Sequence, residues 1–154
     1  MPEPDENGVI GSRARIGAVP IHSMLVHFPI VCLIGALLTD IAYVASEGQV
    51  QWTNFSQWLL LFGIVTIVPA ALFGMIDWFS NPARNRPPIG WWHMALNMVV
   101  AVLALFNNLV HARDGWTSVM PTGLILSVLT VIVLGVSSHL GGQLAYAHTA
   151  RRSK

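Results

Sequence analysis

Residues 53–79 read TNFSQWLLLFGIVTIVPAALFGMIDWF, and this stretch decides the fold. Its single ionisable side chain, Asp77, stands close to its end. A helix needs about 20 mostly apolar residues to cross a bilayer. The run is long enough and lacks the strict alternation of a barrel strand, so it reads as a spanning helix. Three further runs share this character, at residues 21–46, 89–112 and 118–147. Their connections are short. Glu47-Gly48-Gln49 joins the first pair and Arg113-Asp114-Gly115 the last, while residues 81–88 join the middle pair. That middle link ends in Pro87-Pro88, a helix-start signal. Short links force antiparallel neighbours, which predicts an all-α, up-down-up-down four-helix transmembrane bundle. Residues 1–19 then form a disordered N-terminal tail, 20–148 the membrane domain and 149–154 a basic tail.

The composition of the 154 residues agrees: 54% are hydrophobic and only 10% charged, and the mean hydropathy is +0.61. Soluble domains carry about 25% charged residues, so an ordinary cytosolic enzyme is excluded. A disordered chain, which is rich in charge and poor in apolar residues, is excluded too. A net charge of +1 offers no basic stripe for nucleic acid. The one cysteine, Cys32, rules out an internal disulfide framework or a multi-cysteine metal centre.

Basic residues set the expected orientation. Arg13 and Arg15 precede the first span, Arg84 and Arg86 lie between the second and third, and Arg151, Arg152 and Lys154 follow the fourth. With four spans these segments share one side, which the positive-inside rule makes cytoplasmic. Both termini are therefore expected in the cytoplasm. Trp52 and Trp116 fall at the outer interface and Trp78, Trp91 and Trp92 at the inner one. Residues 1–19 lack the pattern of a cleavable signal peptide.

Ionisable residues within a membrane are costly and point to function. Counted in at about 1.5 Å per residue, His27, His93 and His139 share a depth of roughly 6–12 Å from the cytoplasmic face. Asp77 lies near the same level, with His22 and His148 at the very edge. Asp40 and His111 stand apart at the outer side, where they can cap the mouth of the bundle. Asp40 and Asp77 read equally as proton-relay groups or as side chains snorkelling at helix ends. In the third span His93, Asn97, Val100, Ala104, Asn107 or Asn108 and His111 follow steps of three or four and make one inward face. Small residues recur on the second and fourth spans, at Gly63, Thr66, Ala70, Gly74, Gly135, Ser138 and Gly142. They suit close helix packing, or clearance for a flat ligand. Pro29 and Pro69 are expected to kink their spans.

Several motifs resemble those of a bacterial membrane family, the domain of unknown function numbered twenty-two thirty-one. His22-Ser23-Met24-Leu25-Val26-His27-Phe28-Pro29-Ile30 is similar to its opening signature H-x-x-x-V-H-F-P-I. Asp40, Gly74-x-x-Asp77 and His93-x-x-x-Asn97 continue the match. Gly141-Gly142-Gln143-Leu144-Ala145-Tyr146-Ala147-His148 closes it, similar to the terminal GGxLxYxH, although Thr149 replaces the glycine usual after the last histidine. The resemblance covers residues 20–148. Related domains occur joined to c-type cytochrome or Rieske-like modules, which implies redox work; this chain has no C-x-x-C-H.

Three functional readings follow. In the first, His27 and His93, on diagonal spans, ligate one haem b for electron transfer between a quinol or cytosolic donor and a partner redox protein. His139 is then an alternative ligand, and Arg84 and Arg86, with Arg13 or Arg15, sit near the propionates. In the second, His27, His93, His139 and Asp77 hold one transition-metal ion for binding or transport. In the third, the chain is a non-catalytic membrane subunit whose histidines only bond between helices. No Ser, Cys or paired-carboxylate mechanism is visible, so an electron-transfer or binding protein is expected over an enzyme. A homodimer in the bilayer is compatible with all three.

Overall fold

The computed structural model describes residues 12, 14–17, 19–80, 86–113 and 118–152, with side chains through residue 145. A short antiparallel bridge, β1 (Arg15–Ile16) with β2 (Val19–Pro20), leads into α1 (Ile21–Leu25). Three long helices and their joints follow: α2 (His27–Ala45), α3 (Val50–Ser80) and α4 (Pro88–His111). A kinked turn, Val119–Gly123, opens the last helix, α5 (Leu124–Arg152). The expected all-α bundle of four long apolar helices is therefore what the chain forms, and all four are long and apolar enough to cross a membrane.

The first span is broken at Val26, between α1 and α2. Pro29 has no N–H to give the carbonyl of Leu25, and its ring crowds that carbonyl, so the helix yields there. Pro69, by contrast, is absorbed inside the unbroken α3. The Glu47-Gly48 turn has both residues in the left-handed region, at φ 57° and 91°. There the Gly48 N–H closes on the Tyr43 carbonyl at 2.9 Å. Pro88 opens α4 as read from the sequence.

Other boundaries differ. The fourth span is not one continuous helix from residue 118, because Met120 is extended (φ −105°, ψ 134°) and Pro121 supplies no donor for the first turn. Beyond residue 147 the helix continues to Arg152, through part of the expected basic tail. In the expected N-terminal tail, Ser12 Oγ donates to Asp77 Oδ1 at 2.6 Å, and the Ala14 N–H reaches the same oxygen at 3.3 Å.

α2 packs most closely on α3 and α4 on α5, giving two helical hairpins; α3–α4 and α2–α5 contacts close the ring. Contacts run in opposite order along partners, as in Leu33 with Gly63 and Thr39 with Ser56. The core is narrow: Leu33, Ala36, Leu60, Val100, Ala104 and Leu134. A Cβ added at Gly63 would stand 3.1 Å from Leu33 Cδ2, so this glycine sets the approach of α2 to α3. Large apolar side chains such as Phe28, Val31, Phe62, Val65 and Val68 point outward. Buried Ser, Thr, Asn, Asp and His line the inside. Apolar outside and polar within suits a chain whose solvent is lipid.

Candidate functional site

The deepest polar cluster forms around Asp40, which is 0% exposed. It shares a face of α2 with Leu33 and Ala36, at helical spacing, so the stripe that fills the core also carries the carboxylate inward. A lone charged Asp at the centre of a spanning helix costs about 3 kcal/mol. Here three donors offset that cost. Ser56 of α3 donates to Oδ1 at 2.5 Å, Ser127 of α5 donates to Oδ2 at 2.5 Å, and His111 Nε2 of α4 lies 2.9 Å from Oδ1. Every long helix thus contributes to one site.

The proton count follows from the geometry. His111 Nδ1 faces the Asn107 carbonyl at 3.0 Å, so Nδ1 carries a hydrogen. A second proton must lie between Nε2 and Asp40 Oδ1, because two lone pairs at 2.9 Å would repel. The pair is either imidazolium with carboxylate or neutral imidazole with carboxylic acid, and both are net neutral. Ser127 gives its only hydroxyl proton to Asp40, so it accepts from Asn107 Nδ2 at 2.8 Å. That fixes the direction of the Asn107 amide and leaves its buried Oδ1 without a partner. A Cβ at Gly123 would stand 2.6 Å from His111 Cε1; the glycine makes room for the imidazole.

Further hydrogen bonds surround this cluster. Thr39 Oγ1 lies 2.7 Å from Ser56 Oγ, Thr53 Oγ1 lies 3.0 Å from Ser118 Oγ, and Asn108 Nδ2 donates to the Gln57 carbonyl at 3.1 Å.

The opposite end is built differently. His22 Nδ1 donates to the Ala70 carbonyl at 2.8 Å, and His93 Nδ1 to the Ser137 carbonyl at 2.9 Å. Asn97 Nδ2 lies 3.1 Å from His93 Nε2 and bonds the His93 carbonyl at 2.8 Å. Each ring fills the space over a glycine. A Cβ at Gly74 or at Gly141 would stand 2.9 Å from the His22 or His93 ring, respectively. At these positions, and at Gly90 beneath the Trp78 indole, the small residues receive the chain's own side chains.

The residues singled out from the sequence are dispersed. His93 is half-buried, held by the Ser137 carbonyl. His27 is exposed, with Nδ1 3.3 Å from the Met24 carbonyl. His139 is exposed as well, with Nε2 2.9 Å from Gln143 Nε2. The expected pair of imidazoles facing across the bundle from His27 and His93 is therefore not formed, because His27 turns outward. Asp77 is engaged by Ser12 and Ala14. Arg86 binds the end of α3, donating from Nε to the Trp78 carbonyl at 3.1 Å and from Nη2 to the Phe79 carbonyl at 3.0 Å, with its guanidinium over the Phe79 ring. Arg13, Arg84, Trp116 and the His148 side chain lie outside the described residues. Among the described residues no group of three or more His, Cys, Asp or Glu side chains could hold a metal ion.

A signal for the Asp40 cluster does stand in the sequence. Asp40 and His111 are 71 positions apart. The same shift carries His22 onto His93 and Ser56 onto Ser127. It also carries the buried positions Pro29, Leu33 and Ala36 of α2 onto the buried Val100, Ala104 and Asn107 of α4. The two hairpins repeat one pattern, and Asp40 and His111 are its matched but chemically opposite members. A model for a family of predicted membrane proteins matches residues 18–154. No curated protein and no solved structure matches the chain.

Proposed function

The chain belongs to that family, DUF2231, and from this premise we propose that it is a proton-handling membrane module. On this reading the Asp40–His111 pair binds and releases a proton inside the bilayer. The observation that carries the reading is a fully buried Asp–His contact of 2.9 Å inside candidate spans. Intramembrane Asp and His side chains that face a bundle interior mark ion pathways and proton relays. Ser56 and Ser127 hold the carboxylate so that its two oxygens are distinct, one shared with His111 and one bonded to Ser127. With the positive-inside orientation, the pair lies toward the outer face of a bacterial inner membrane and both termini are cytoplasmic.

The test is infrared difference spectroscopy on protein reconstituted in lipid, between acidic and alkaline buffer. A carboxylic-acid carbonyl band that exchanges with a carboxylate band, and is missing in Asp40→Asn, is expected. Folded wild-type protein without that exchange overturns the reading.

A haem b site is a second reading, favoured by one observation. His22 and His93 each donate Nδ1–H to a backbone carbonyl, the arrangement that orients an imidazole to ligate through Nε2. Against it, His27 faces outward, Asn97 occupies His93 Nε2, and Gly74 and Gly141 already receive imidazoles. A Soret band at one haem per chain in protein from haem-replete cells, lost in His93→Ala, would establish it; colourless protein removes it.

A further inference from the structure

Among the described residues, the side-chain hydrogen bonds seen between the hairpins gather at one end. Hairpin one is α1–α3 and hairpin two is α4–α5. Asp40 bonds His111 and Ser127, Thr53 bonds Ser118, and Gln57 accepts from Asn108. At the other end the hairpins are joined covalently, through the segment that reaches Pro87. There His22 and His93 each bond within their own hairpin.

From this placement we propose that the Asp40 cluster is a proton-operated latch. A proton on Asp40 releases the hairpins from one another at that end, which exposes the pair. The inference rests on the proton-binding reading above and adds a consequence to it.

The chemistry is one O–H bond formed. Oδ1 already meets Ser56 and His111, whereas among the described residues Oδ2 meets Ser127 alone. With the pair as imidazolium and carboxylate, a proton from hydronium at the adjacent aqueous face adds to Oδ2, and water leaves. Oδ2–H then points a donor at Ser127, whose own proton points back at Oδ2. To keep the contact, Ser127 must turn its own proton away and accept from both Oδ2–H and Asn107 Nδ2. The Ser127 link and the His111 link both lose the carboxylate charge. Both links cross between hairpins, so one proton weakens two fastenings together.

No other ionisable side chain on the elements around Asp40 competes at the same depth. On α2, Tyr43 and Glu47 lie one and two turns further toward the helix end and the turn beyond it. α3 has none from Val50 to Ile76, α4 contributes His111 followed by Arg113, and the Val119–Gly123 turn has none. α5 has none from Leu124 to Ser138, and Asp114 lies outside the described residues.

The test uses spin-label distances in the full chain reconstituted in lipid, with Cys32→Ala. One label pair, Gln51→Cys with Thr122→Cys, spans the latched end on exposed positions of the two hairpins. A control pair, Ala71→Cys with Ser138→Cys, spans the other end. Acidification should lengthen and broaden the first distance and leave the second unchanged. Asp40→Asn, which cannot be a carboxylate, should show the long distance already at neutral pH. Ser127→Ala, which keeps the carboxylate and provides a second variant should Asp40→Asn not fold, should loosen the first distance while retaining its pH response. An invariant first distance in protein whose Asp40 infrared band titrates overturns the latch and leaves the proton reading standing. Equal movement of both label pairs also overturns it. Loss of the infrared titration itself overturns the proton reading.

Discussion

The two ends of the bundle carry matched positions and use them in opposite ways. From His93 to His111 is about 27 Å of helix rise, nearly a hydrocarbon thickness. At one end His22 and His93 each find a backbone carbonyl on the partner helix of their own hairpin. At the other, Asp40 draws side chains from α3, α4 and α5. A histidine donor can use any carbonyl, and a helix presents one at every residue, so such contacts tolerate change. A buried carboxylate accepts only, so it needs donors placed for it, and removing it strands several groups together. The first end is packed locally; the second is a joint whose parts depend on each other.

Unequal substitutions should expose that contrast. Asp40→Ala leaves His111, Ser56 and Ser127 without their shared acceptor and should cost about 3–5 kcal/mol, read from denaturant unfolding in detergent micelles. Gly141→Val drives a branched side chain into the His93 ring and should cost about 1–3 kcal/mol in the same assay. His93→Gln, which removes the ring's two neutral hydrogen bonds to the Ser137 carbonyl and Asn97 Nδ2, should cost about 1–2 kcal/mol. If it matched Asp40→Ala, the contrast between the ends would fail. His27→Ala and His139→Ala, both at exposed positions, should stay within about 0.5 kcal/mol of wild type. A large effect there would mean that something covers those faces in the membrane.

The helices were legible because hydropathy is a property of the local sequence. Pro29, Glu47-Gly48 and Pro87-Pro88 marked breaks and turns that the structure has. Pro121 carried the same kind of signal for the kink that opens the fourth span. The site was harder to read. His22 and His27 are five residues apart, which turns them about 140° around a helix, so depth alone could not say which faces inward. Depth puts Asp40 and His111 together at the outer mouth as capping residues, but does not make them a bonded pair. Their contact depends on how two hairpins are rotated against each other, which no single span encodes. Only the common shift of 71, visible when the two halves are laid over one another, links them in the sequence.

One contact at the connected end has an optical consequence. The indoles of Trp78 on α3 and Trp91 on α4 stand 5.6 Å apart at 84°, with Trp78 seated over Gly90. Two indoles this close share their excited states, so their near-ultraviolet circular dichroism depends on the angle between them. Because one ring belongs to each hairpin, the protein carries a chromophore pair where its halves are connected, able to record in unlabelled material any rotation of one half against the other.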